Sequence, residues 1–102
     1  MEIISGARMT GKTTELIRKS AESGSYMVVA TMYEAARAMG AAAALGLQIP
    51  TPITYSEFER REYAGNNIRG FLIDNADRLL QQMTHVPIES ITIGAVRKPE
   101  IT

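Results

Sequence analysis

The sequence predicts an α/β domain, a parallel sheet of about five strands with helices on both faces. Short apolar runs alternate with stretches of helical periodicity along the whole chain. The run Tyr26-Met27-Val28-Val29-Ala30 is apolar without interruption, the composition of a strand covered on both faces. A glycine-containing loop joins the first apolar run to the first helical stretch, as where a parallel strand feeds a helix.

Each element has its own warrant. Glu2-Ile3-Ile4 is a short apolar run that meets Ser5-Gly6, a candidate first strand. Residues 13–23 place Leu16, Ile17 and Ala21 at helical spacing, and Gly24 stands as a stop. Residues 26–30 form the second strand. Thr31 and Glu34 have the spacing of a capping box and open a second helix, which runs through the alanine-rich stretch to about residue 44, with Gly46 beyond. Tyr33 and Met39 are expected to pack that helix on the sheet. Pro50 and Pro52 punctuate the next segment. Ile53-Thr54-Tyr55 is a candidate short strand, and residues 56–62 a short helix. Gly65-Asn66-Asn67 has the chemistry of a turn. Phe71-Leu72-Ile73 is an apolar strand ending in Asp74. Residues 74–83 place Ala76, Leu79, Leu80 and Met83 at helical spacing, Ile91-Thr92-Ile93 is a last strand candidate, and a polar tail follows Gly94.

The bulk numbers describe one domain. The chain has 102 residues, 45% apolar and 22% charged, with zero formal net charge. It therefore has no overall basic field to draw it to nucleic acid. Cysteine is absent and His85 is the one histidine, which excludes disulfides, thiolate metal sites and multi-histidine metal sites. No apolar run reaches the roughly 18 residues of a membrane span, and the start lacks the apolar stretch of a signal peptide. The expectation is a cytoplasmic protein with no membrane association.

The most informative segment is Gly6-Ala7-Arg8-Met9-Thr10-Gly11-Lys12-Thr13, which fits G-x-x-x-x-G-K-S/T at every fixed position. A backbone that wraps phosphate oxygens with N–H groups needs residues without a Cβ at its tightest points, here Gly6 and Gly11. The helix that follows directs its positive end at the same anion. Lys12 supplies a flexible charge for the β- and γ-phosphates, Thr13 a hydroxyl for Mg²⁺, and Thr14 a further phosphate donor. The expected ligand is a nucleoside triphosphate, ATP with Mg²⁺, on residues 6–14. Asp74, at the end of an apolar strand, is the expected second Mg²⁺ ligand, acting through water. Its simpler role would be to cap the following helix.

These two motifs resemble those of the P-loop NTPase superfamily. The order of the other pieces resembles the first motor domain of superfamily 1 helicases, pared to its core. Val28-Val29-Ala30-Thr31 before an alanine-rich helix is similar to their second conserved strand, and Ile53-Thr54-Tyr55-Ser56-Glu57-Phe58 to a segment that lies near single-stranded DNA. Asp74-Asn75-Ala76-Asp77 is similar to their D-E-x-D box, and Ile91-Thr92-Ile93-Gly94 to the strand after it. The resemblance implies a RecA/helicase-like core with the Asp74 strand beside the first strand, and a likeness to short P-loop proteins of phages and prophages.

The departures from that pattern bear on activity. The family's catalytic glutamate follows the metal aspartate, and Asn75 stands there; an amide cannot take a proton at neutral pH. The family's later acid and γ-phosphate-sensing glutamine correspond to Ala95 and Lys98. A second motor domain, with its arginine fingers, is not in the sequence. The expectation is a slow ATPase, or one that depends on a protein partner or a second copy for an arginine finger. Lys12, Asp74 and Asp77 are the candidate catalytic residues, Asp77 as substitute base. Arg60, Arg61 and Arg69, with Tyr55, Phe58 and Tyr63, allow contact with nucleic acid, but Glu57, Glu59 and Glu62 interleave and point to an ordinary salt-bridged surface. The functions consistent with this are an accessory to phage replication or recombination and a nucleotide-gated regulatory module. A small-molecule kinase fits less well, since no insertion is long enough for a lid.

Overall fold

A computed structural model describes residues 1–5, 11–63 and 67–94 of the chain. Its elements are α1 (Lys12–Ser23), β1 (Tyr26–Val29), α2 (Met32–Ala44), β2 (Ile53–Thr54), α3 (Tyr55–Glu59), β3 (Phe71–Ile73) and α4 (Ala76–Gln82). The strands form one parallel three-stranded sheet in the order β2-β1-β3. Register pairs Val28 with Ile53 on one side and with Ile73 on the other.

The uninterrupted apolar composition of β1 reflects its central place. Met27 and Val29 face one side, in a cluster with Leu16 and Ile17 of α1 and Ala35, Ala38 and Ala42 of α2. Val28 faces the other side, against Tyr55 of α3 and Leu79 of α4. Each of the three β1 residues is 1% exposed or less. Helices therefore cover both faces, as parallel sheets require.

Local sequence fixes the element ends. Gly24 takes a left-handed conformation (φ 78°) after α1, and its N–H bonds the Ser20 carbonyl at 2.8 Å. The Thr31 hydroxyl caps α2 by accepting from the Glu34 N–H at 3.1 Å. Glu34 does not complete that capping box; its carboxylate reaches the Ala30 N–H at 3.4 Å. The complete box is at α3, between Thr54 and Glu57.

The expected five-stranded core is not what folds. Residues 2–4 and 91–93 lie outside the sheet, and the Asp74 strand pairs with β1 rather than with a strand at residues 2–4. A three-residue apolar run becomes a strand only where a partner and a covering layer exist. Ile4 instead packs against the α1–β1–α2 cluster as irregular chain. Ile91 and Ile93 are 51% and 60% exposed and would gain no burial by ordering. The five-stranded, RecA/helicase-like core implied by resemblance is accordingly replaced by a smaller α/β domain.

Two packing expectations also change. Tyr33 is 71% exposed and Met39 38% exposed, because the buried stripe of α2 is Ala35, Ala38 and Ala42. Small side chains there bring α2 close to α1 and the sheet. The turn at Gly65-Asn66 and the positions Ala95 and Lys98 lie outside the described residues. No helix among the described residues is long and apolar enough to cross a membrane.

Candidate functional site

The parallel sheet brings the start of α1 and the end of β3 to the same edge, where loops leave the carboxyl ends of the strands. Gly11 precedes α1 in a left-handed conformation (φ 84°, ψ 13°) that a side chain would strain. Among the described residues no side chain caps the helix, and a helix start of this kind favours an anion. Gly6, Ala7, Arg8, Met9 and Thr10, the remaining phosphate-loop positions, lie outside the described residues.

Across the site, the Thr13 hydroxyl donates to the Asp74 carboxylate at 3.1 Å, joining residues 61 apart in sequence. The alternative role for Asp74 is not the one adopted. Helix α4 is preceded by Asn75 and has no side-chain cap, while the Asp74 carboxylate turns to Thr13. Asp74 is 7% exposed. Burial pushes its carboxyl above the usual carboxylate range, opposed by the Thr13 hydrogen bond and by the charges of Lys12 and Arg78. A partly buried carboxylate in this state is poised to gain from a cation.

The turn that carries Asp74 is held from below by Tyr55. The Tyr55 hydroxyl is shared between the Asp74 carbonyl and, at 2.9 Å, the Asn75 carbonyl. Burial pushes its pKa up to about 12, so the group stays a neutral donor across the working range. The capping box of Thr54 and Glu57 fixes Tyr55 in turn. Tyr55→Phe is expected to lower stability by about 1–2 kcal/mol, the cost of removing a buried hydrogen bond. Thermal melting checks this; an unchanged midpoint would mean that the clamp contributes nothing.

Asn75 itself sits in the left-handed region, φ 58° and ψ 60°. Asparagine tolerates this conformation better than glutamate. The residue that replaces the expected general base is therefore also the one that suits its backbone.

Lys12, Thr13, Thr14, Asp74, Asn75 and Arg78 line one cleft of about 770 Å³, a volume in the range of small-ligand sites. Glu34 and Arg37 contribute from α2. Among the described residues the cleft thus holds three cations, Lys12, Arg37 and Arg78, against two carboxylates, Glu34 and Asp74. Sequence reasoning missed Arg37, Arg78 and the second role of Glu34. Arg78 was findable, since it stands four residues after Asp74 in the sequence; the others depend on how α2 packs. Asp77 is exposed and lines a separate shallow depression with Ile88 and Ser90 rather than this cleft.

The segment likened to a DNA-contacting stretch is self-contained. Tyr55 is buried, Phe58, Tyr63 and Phe71 pack edge and face on one another, and Arg60 pairs with Glu62 at 2.9 Å.

Among the described residues no group of three or more His, Cys, Asp or Glu side chains forms a metal cage. A hydroxyl and a carboxylate 3.1 Å apart, both hard oxygen donors, instead fit Mg²⁺, which takes few protein ligands and completes its shell with water and phosphate. No family model, curated protein or solved structure matches the chain.

Proposed function

We propose that the chain is a Mg²⁺-dependent ATP-binding module that hydrolyses slowly by itself. The observation that carries this is the hydrogen bond between Thr13 and Asp74, which joins the end of the G-x-x-x-x-G-K-T motif to the strand-end acid. Lys12 and the start of α1 take the phosphates. Thr13 and Asp74 hold Mg²⁺, whose chemistry is to neutralise charge on the phosphate oxygens. Asp74, partly buried, is drawn into its charged form by the cation. Preference for ATP over other nucleoside triphosphates rests on the helicase-like resemblance.

Slow turnover follows from the residues beside that pair. Asn75 cannot serve as a base, and Asp77 is not among the residues lining the cleft. This supports a nucleotide-gated regulatory role, in which occupancy rather than hydrolysis is the output. The broader reading is an accessory to nucleic-acid metabolism of the phage replication or recombination kind. It needs a partner, or a second copy of the chain, to complete catalysis. A cysteine-free composition fits the cytoplasm as its setting.

Phosphate release measured on the isolated protein with saturating Mg-ATP tests this. Turnover is expected to be far below the enzyme median of about 10 s⁻¹. Turnover near that value, abolished by Asp77→Ala, would overturn the reading of a module without its own base.

A further inference from the structure

One ion pair in the lining of the cleft joins α2 to α4. Arg78 Nη1 donates to Glu34 Oε2 at 3.1 Å, across 44 residues of sequence. The two partners are not equally held. Glu34 is also tied by its other oxygen to the Ala30 N–H, and its side chain is 30% exposed. The Arg78 side chain is 50% exposed, and among the described residues Glu34 is its one bonded partner. Glu34 is thus the fixed half and Arg78 the movable half.

We propose that Arg78 is the terminal-phosphate ligand of this cleft, held by Glu34 until a nucleoside triphosphate displaces it. The proposal deepens the Mg-ATP reading and rests on it. Arg78 lines the same cleft as Lys12, Thr13 and Asp74. A polyphosphate bound in that cleft therefore lies within the field of both Lys12 and Arg78. The guanidinium has five donors in a planar fork, and the bond to Glu34 leaves the rest for phosphate oxygens. A terminal phosphate carries more charge than Glu34 and accepts two parallel N–H bonds, so the exchange favours the nucleotide. Release of Arg78 uncouples α4 from α2, and so links occupancy to the relative freedom of two helices. A diphosphate lacks the group that draws Arg78 away, so it leaves the ion pair closed.

The test is calorimetric titration of ATP and of ADP, with Mg²⁺, into the wild-type chain, Arg78→Ala, Arg78→Lys and Glu34→Gln. Exposed ion pairs contribute little to stability, and thermal melting verifies that the variants fold. Arg78→Ala is expected to weaken ATP by about tenfold or more and ADP by less than about threefold, the loss of one charge-assisted phosphate contact. Arg78→Lys is expected to restore part of the ATP affinity. Glu34→Gln is expected to tighten ATP, because Arg78 no longer has a competing carboxylate. Equal losses for ATP and ADP, or no loss for either, would overturn the role of Arg78 while leaving the phosphate site intact. A wild-type chain that binds neither nucleotide would overturn both.

Discussion

Lys12→Ala is expected to weaken Mg-ATP binding by about 10- to 100-fold, with the fold retained. A lysine contact to phosphate is a charge-assisted hydrogen bond of about 1.5–3 kcal/mol, which converts to that range. The residue opens α1 directly after left-handed Gly11, at the positive end of the helix, where its charge and the helix start would act on the same anion in the proposed site. Alanine is a good helix former at this position, so α1 should persist. Calorimetry measures the affinity and circular dichroism the helix content. Undiminished binding would place the nucleotide elsewhere.

Asp74→Asn is expected to do two opposite things: raise the stability of the nucleotide-free protein at neutral pH and abolish the Mg²⁺-dependent part of ATP affinity. The fold raises the Asp74 pKa, chiefly by burial. A carboxyl shifted in this direction contributes stability that is fully present at pH below its unfolded value and is lost as pH rises through the folded one. At neutral pH the ionised group is therefore a cost. Asparagine keeps an oxygen to accept from Thr13 and carries no charge. A gain of about 1 kcal/mol, or roughly 4–8 °C in melting temperature, is expected for a domain of this size. The gain should shrink as pH falls into the ordinary carboxylate range, because wild-type Asp74 is then protonated as well. A functional carboxylate kept at a cost to the empty fold is the pattern of a site built for a cation. A melting temperature lowered at neutral pH, with Mg²⁺-dependent affinity unchanged, would assign Asp74 a purely structural role.

Much of the fold was legible because the relevant physics is local. Gly24, Thr31 and Gly46 each mark a helix boundary by backbone preference or capping chemistry, and the observed ends lie at or next to them. β1 was legible because a strand covered on both faces leaves an unbroken apolar run. The failures arise where the outcome depends on a partner. Ile91-Thr92-Ile93 has strand composition but no layer to cover it, so composition misled. Tyr33 and Met39 are larger and more apolar than the alanines beside them, yet helix phase puts Ala35, Ala38 and Ala42 inside.

The site divides the same way. Motif spacing singled out Lys12, Thr13 and Asp74 as candidates, and the structure brings Thr13 and Asp74 within hydrogen-bonding distance. Tyr55 was grouped by sequence with a surface segment of mixed charged and aromatic residues. Its true partners are two carbonyls at positions 74 and 75, a contact that only the packing of α3 under the β3–α4 turn creates. Glu34 was assigned to a capping box that it leaves incomplete, because Arg78 and the Ala30 N–H draw its carboxylate away. A second contact of this kind, 44 residues distant, leaves no trace in local spacing.

The most direct single measurement is a calorimetric titration of the wild-type chain with ATP, with and without Mg²⁺. Binding that is saturable and strengthened at least tenfold by Mg²⁺ is the predicted result, since Thr13 and Asp74 then hold the cation against the phosphates. Absence of binding, or binding indifferent to Mg²⁺, would contradict the assignment of the Thr13–Asp74 pair as a Mg-ATP site.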